Sequence, residues 1–232
     1  MKNWFGDFYR SSLGKKAVMA VTGVVMWGFV LLHMTGNLKY FSGGATPDAN
    51  AAINVYGEWL REVGYPLLPH SGALWLIRVA LLVALALHVH AAYALTMMSR
   101  RARPQGYERR RPVQIGWAER SIRWSGVAIL LFVVYHILHF TTGQAHHDFR
   151  AGDVYHNLES AFSVGWVAAL YVIVTLLLGM HLYHGLWSMF QSMGWNHPRF
   201  NRWRRAFAIA FAVLITVGFI VVPLAIVTGF GL

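Results

Sequence analysis

Five stretches of this chain run for about twenty residues each without an Asp or Glu, and that feature sets the class of fold. A bilayer core about 30 Å thick takes about 20 residues of helix at 1.5 Å per residue, and a helix satisfies its own backbone polar groups there. The runs cover about Ala17–Leu38, Ala73–Met98, Trp124–Thr142, Val164–Phe190 and Ala206–Thr228. Pro223 lies near the end of the fifth, and Arg78 is the only base inside any of them. The expected fold is therefore an all-α membrane protein, with five transmembrane helices in one bundle and a single domain over residues 1–232. Composition agrees, since 56% hydrophobic against 12% charged residues excludes disorder, collagen and an ordinary soluble enzyme. The absence of cysteine removes disulfides, thiolate metal sites, iron–sulfur ligation and covalent haem attachment.

The net charge of +11 would suggest nucleic acid on a soluble protein, but the position of the bases argues otherwise. Lys2, Arg10, Lys15 and Lys16 precede the first run. Arg100, Arg101, Arg103, Arg109, Arg110, Arg111, Arg120 and Arg123 lie between the second and third, and Arg199, Arg202, Arg204 and Arg205 between the fourth and fifth. Sixteen of the 20 bases thus fall on one side of the expected bundle, which the positive-inside rule makes cytoplasmic. The other side has Lys39, Arg61, Arg78 and Arg150 among Asp48, Glu58, Glu62, Asp148, Asp153 and Glu159. The N-terminus is expected inside and the C-terminus outside. The first run lacks a small-residue cleavage site and reads as a retained span rather than a secretory signal. The arginine-rich segment is a topology signal that anionic lipid or an acidic partner can also use, not a nucleic-acid contact. In the outer loop, Gly43, Gly44, Pro47 and Asn50 precede Ala51–Val63, which is expected to form a short interfacial helix with Ile53, Tyr56 and Leu60 on one face.

Ionisable residues inside a membrane are costly, so each is a functional candidate. Seven histidines fall within four of the five runs: His33, then His88 and His90, then His136 and His139, then His181 and His184. One such residue is commonly a hydrogen-bonded packing group; four consecutive helices each carrying one is not explained by packing. At about 1.5 Å per residue from the cytoplasmic ends, His33 lies about 24 Å up and His136 about 18 Å, against about 15 Å for His88 and about 14 Å for His181. The histidines sort into two levels of two helices each. Two stacked pairs match two bis-histidine haems, because each iron takes one imidazole from either side. His88 and His90 differ by about 200° around a helix and cannot face one haem. His136/His139 and His181/His184 are i,i+3 neighbours, of which one can ligate while the other bonds a propionate, a carbonyl or a quinone. Depth alone places His139 opposite His33 slightly better than His136. Gly23, Gly28, Gly126, Gly179 and Gly185 permit close approach of a flat cofactor or of another helix. Trp27, Trp75, Trp124, Trp166 and Trp187 lie mostly near helix ends, where an interfacial belt is expected.

The segments SSLGKKAVMAVTG at Ser11–Gly23, LLHMTGNLKYFSG at Leu31–Gly43, LHVHAAYALTMMSRRARPQGY at Leu87–Tyr107, LFVVYHILHF at Leu131–Phe140 and LGMHLYHGLWSMFQSMGWNH at Leu178–His197 resemble, in order, the five-span di-haem cytochrome b anchor of succinate:quinone oxidoreductases. This is the succinate dehydrogenase and fumarate reductase family. The resemblance implies His88 and His181 as axial ligands of a haem b near the cytoplasm, and His33 and His136 as those of an outer haem b. It further implies flavoprotein and iron–sulfur partner subunits on the cytoplasmic face of a bacterial inner membrane, and menaquinone or another quinone as electron acceptor. The anchor then carries no succinate chemistry itself and serves the tricarboxylic acid cycle by electron transport. Glu58 and Glu62, just ahead of span two, are the quinone-site candidates it suggests. Fumarate-reducing relatives carry a carboxylate two residues before the fourth-span ligand, where this chain has Gly179, which favours the succinate dehydrogenase direction. Two rivals remain at this stage: a haem-free transporter using the histidines as a relay, and another kind of di-haem b cytochrome.

Overall fold

Each long apolar run folds as a long helix, and two of the five begin on a side-chain cap, Ser11 and His197. The computed structural model describes residues 4–42, 51–102, 117–195 and 197–230, without the side chains of 5 and 117–120. A short helix α1 (Trp4–Arg10) leads into α2 (Ser12–Asn37), whose first turn is capped by Ser11 Oγ accepting the Gly14 N–H at 2.9 Å. A 3-10 turn, Leu38–Ser42, continues α2. Then follow α3 (Ala52–Glu62), α4 (Gly72–Arg101), and α5 (Trp117–His136), which passes directly into a π-helical turn, Ile137–Thr141. Next come α6 (Val154–Phe162), α7 (Gly165–Ser192) and α8 (Pro198–Thr228). Pro198 starts α8 without wasting a backbone donor, and Gly229, at φ +66°, ends it in the left-handed conformation that glycine takes without a Cβ clash. Five helices are long and apolar enough to cross a membrane, and no strand occurs among the described residues. The chain is an all-α, multi-pass membrane protein. Arg103, Arg109, Arg110, Arg111 and the segment through Tyr107, together with Gly43, Gly44, Pro47 and Asn50, lie outside the described residues.

The four histidine-bearing helices are arranged as two pairs. α2 packs along α4 and α5 along α7, while α4 and α5 have no substantial packing on each other. α8 lies along α7 and reaches α2, closing one side of the bundle. Met34, Leu186, Ala208, Phe211 and Ile215 fill the space between α2, α7 and α8. Trp27 and Trp187 belong to this core rather than to an interfacial belt: Trp27 packs edge-on against Phe211 at 4.9 Å, and Trp187 lies under the Arg204 guanidinium at 5.1 Å. Trp75, Trp124 and Trp166 are exposed, as a belt requires. Arg204 also departs from expectation. It is buried on α8, donating to the Trp195 carbonyl at 2.5 Å and to Asn201 Oδ1, so it braces the helix start instead of adding to the loop charge.

A second, shorter layer caps the end of the bundle where α2 finishes. It comprises the 3-10 turn, α3, the loop 142–153 and α6. Ile53 is buried and Tyr56 and Leu60 are partly buried on α3, as the apolar spacing predicts. Asn54 joins the two cap helices: buried, it donates to Asp153 Oδ1 at 2.9 Å and accepts the Tyr155 N–H at 2.9 Å. Asp153 caps α6 by accepting the His156 N–H at 3.0 Å. Burial alone would raise the Asp153 carboxyl pKa, but the hydrogen bonds from His156 and Asn54 favour the charged form and hold it below the ordinary aspartate range. A depressed carboxyl contributes stability above its unfolded pKa of about 3.9, and that contribution fades as the pH falls through the folded value. The cap should therefore gain proteolytic sensitivity below about pH 4 while the spans resist. Asn54→Ala should produce the same opening at neutral pH, at a cost of about 1–3 kcal/mol for the stranded polar groups, as read by limited proteolysis and thermal melting.

Candidate functional site: two facing imidazole pairs

The divide between the α2/α4 and α5/α7 pairs is crossed by two couples of histidines. His33 on α2 faces His136 at the end of α5, with ring centroids 5.8 Å apart and planes at 78°. His88 on α4 faces His181 on α7 at 6.4 Å and 55°. Along α2, ten residues separate the level of Gly23, which touches His88, from His33; at 1.5 Å per residue the two couples lie about 15 Å apart.

The structure distinguishes the histidines that spacing left open. His136, not His139, faces His33. The count that favoured His139 assumed a regular α-helix, but the wider π-turn begins immediately after His136 and rotates His139 away. His139 is buried beneath the cap at 1% exposure, stacked on Tyr135 at 5.1 Å and on His146 at 4.7 Å. His90 is exposed and turned from His88, its Nδ1 lying 2.5 Å from the Tyr9 hydroxyl of α1. His184 lies three residues beyond His181 on α7 and takes no part in either facing couple.

Hydrogen bonding sets which nitrogen the His88 ring presents. His88 Nδ1 lies 3.1 Å from the Met19 carbonyl, which can only accept, so Nδ1 carries the proton and Nε2 keeps its lone pair. Thr22 Oγ1, 3.2 Å from the same nitrogen, donates its own proton to the Val18 carbonyl at 2.7 Å and accepts from the ring. His136 Nδ1 lies 3.3 Å from the Tyr171 hydroxyl. His181 Nδ1 is buried without a hydrogen-bond partner. Phe29 stacks on His33 at 5.4 Å and Phe219 packs beside it at 5.7 Å, so the His33–His136 couple sits in an apolar, aromatic shell.

These residues fit a metal held between two imidazoles. A metal–imidazole bond is about 2 Å, and adding about 1.1 Å from nitrogen to ring centre on each side gives about 6.2 Å between centroids, the spacing of both couples. A ligating histidine anchored through its other nitrogen to a carbonyl or hydroxyl is the usual pattern, met by His88 and His136. No cluster of three or more potential ligands occurs among the described residues.

Two glycines lie against the lower couple. A Cβ on Gly23 would lie 3.5 Å from His88 Cε1, and one on Gly126 3.6 Å from His181 Cε1. Each glycine precedes the upper histidine of its own helix by ten residues, Gly23 before His33 and Gly126 before His136. This repeated Gly-to-His interval is visible in the sequence and singles out two of the five candidate glycines. Gly179 instead lets α7 meet α8, where a Cβ would overlap Thr216 Oγ1, and Gly28 and Gly185 face open space.

Neither candidate carboxylate reaches the couples. Glu58 is 55% exposed on α3, paired with Arg61 at 2.7 Å and His70 at 3.2 Å, and these partners hold its carboxyl below the ordinary range. Glu62 is exposed at the end of the same helix. A carboxylate that spacing did not single out, Glu159 on α6, accepts a hydrogen bond from the Tyr40 hydroxyl beside the stacked Tyr155 ring. It reads as a loop charge unless α6 is foreseen. Arg100, Arg101, Arg199, Arg202 and Arg205 are exposed at the end of the bundle opposite the cap. Comparison with protein-family models, curated proteins and solved structures finds no match to this chain.

Since a Cβ at 3.5–3.6 Å is ordinary contact, Gly23→Ala and Gly126→Ala should be tolerated. Gly126→Val should push the His181 ring out of line with His88 while leaving the His33–His136 couple in place, as NMR of labelled histidines would record.

Proposed function

We propose that this chain is the membrane-anchor cytochrome b subunit of a succinate dehydrogenase, passing electrons from a cytoplasmic iron–sulfur subunit to a quinone. The observation that carries the reading is the pair of facing imidazole couples at two levels, His33 with His136 and His88 with His181, at separations that suit axial ligation. When bound, two b-type haems would supply one-electron chemistry at these two levels. The residues that would hold them are His88 and His181 toward the arginine-rich end, and His33 and His136 toward the cap.

The protein's own contribution is positional and electrostatic. Met19 and Thr22 hold the His88 ring, Tyr171 meets His136, and the shell of Phe29, Phe132 and Phe219 excludes water from the upper couple. Burial in such a shell tunes potential through local polarity. The exposed arginines opposite the cap would be cytoplasmic by the positive-inside rule and would steer the flavoprotein and iron–sulfur subunits onto that face. Menaquinone or another quinone would then be reduced near the cap, in a bacterial inner membrane. The contact between Gly179 and Thr216 leaves no room at that position for the membrane carboxylate of fumarate-reducing relatives, which favours the succinate-oxidising direction over the reverse.

A reduced-minus-oxidised spectrum of the purified chain should contain haem b bands, with two haems per chain by pyridine haemochrome assay; a colourless, folded preparation would refute the reading. His33→Ala or His136→Ala should remove one spectral component and leave the other, and His88→Ala or His181→Ala the converse. Charge reversal of Arg100 and Arg101 should weaken co-purification with the soluble subunits, most clearly at low salt, where the charges are least screened.

A further inference from the structure

The geometry points to Tyr171 as a positioning residue that ties His136 to His139, fixing the tautomer of His136 and setting the electron affinity of the upper site. The inference rests on the cytochrome reading for its second half; the first half stands on hydrogen bonding alone. Tyr171 projects from α7, and its hydroxyl lies 3.3 Å from His136 Nδ1 and 2.9 Å from His139 Nδ1. Two imidazoles on consecutive turns of one helix thus share a single hydroxyl of the neighbouring helix.

One proton cannot be donated to both rings. A neutral His136 that ligates through Nε2 must carry its proton on Nδ1 and donate it to the Tyr171 oxygen. The Tyr171 proton is then free for His139 Nδ1, which must be the acceptor, so His139 is protonated on Nε2. The bridge therefore imposes opposite tautomers on the two histidines. Bonds in series polarise one another, so His139 strengthens the acceptor that His136 sees.

The backbone is built for this contact. The π-turn Ile137–Thr141 turns His139 inward toward Tyr171, and π-turns of this kind are found disproportionately at functional positions. His139 is then held on both faces, between Tyr135 and His146. His146 is itself fixed: its Nε2 donates to the Asn157 carbonyl at 3.0 Å and its Nδ1 accepts the Asp148 N–H at 3.1 Å. With both nitrogens committed, His146 clamps the His139 ring by stacking and does not compete for Tyr171. The His88–His181 couple has no such bridge, as His88 bonds a backbone carbonyl and His181 Nδ1 has no partner. Donation from a ligating imidazole to an acceptor raises its basicity and favours the oxidised metal. Removing the acceptor should make the upper site easier to reduce and leave the lower one unchanged.

The test is a redox titration of the full-length chain in detergent, followed at the haem b bands, for the unaltered protein, Tyr171→Phe, His139→Phe and the double variant. Tyr171→Phe should retain two haems and raise the midpoint of the upper component by about a tenfold change in the reduced-to-oxidised ratio, about 59 mV for one electron. His139→Phe should shift the same component by less, and the double variant by no more than Tyr171→Phe. An unmoved upper midpoint, or an equal shift of both components, overturns the inference. If Tyr171→Phe holds fewer than two haems, His139→Phe decides by the same criterion. If the unaltered chain binds no haem, the cytochrome reading falls and the bridge is judged separately by nitrogen NMR of labelled histidines: opposite tautomers at His136 and His139 uphold it, and a shared tautomer overturns it.

Discussion

The arrangement of this protein turns on the burial of imidazoles between helices that scarcely touch. A ring nitrogen with a lone pair and no partner is expensive in a low-dielectric interior, and the cost grows when several are placed at one depth. Here the rings face one another across the divide between two helix pairs, each couple at a distance that one metal would satisfy. Side-chain packing between α2, α7 and α8 holds one edge of the bundle, while the α4–α5 edge lacks comparable contact. The couples therefore occupy the place that interdigitated apolar residues fill in an ordinary four-helix bundle.

The cap completes the upper level. Its cluster of Tyr40, Tyr155, Phe162 and Tyr171, extended by Phe132, Tyr135 and Phe140, makes a continuous apolar and aromatic mass over His136 and His139. Asn54 and Asp153 close that mass with directional bonds, so the loop between the π-turn and α6 is ordered by polar joints and the shell beneath it by burial. Among the described residues the lower level is bordered by glycine contacts and a backbone acceptor instead. Two couples built from the same residue type thus stand in different surroundings.

Much of this was legible in the sequence. Run length identified the spans, and the helical rise sorted the histidines into two levels, because both depend only on geometry common to all helices. The choice between His136 and His139 was not legible by counting, since the π-turn after His136 winds fewer degrees per residue than the regular α period assumes. The roles of Trp27, Trp187 and Arg204 were hidden for a different reason: Trp187 and Arg204 lie near helix ends and Trp27 was grouped with the belt by residue type, and only the packing of α8 against α2 and α7 turns them inward. Glu58 was selected by its place before span two, yet Arg61 and His70 hold it at the surface. The glycines were recognised as a class, and the equal interval from Gly23 to His33 and from Gly126 to His136 would have separated the two that matter.

That equal interval, together with the thin contact between α4 and α5, bears on how such a molecule is made. Each half is built on a helical pair, α2 with α4 and α5 with α7, and α8 packs along α7 and onto α2. Biosynthesis can lay the first hairpin into the bilayer before the second has left the ribosome, with nothing of the joint surface needed early. Joining the halves is then a late event that brings imidazole to imidazole, and an immature chain is two leaves without a spine.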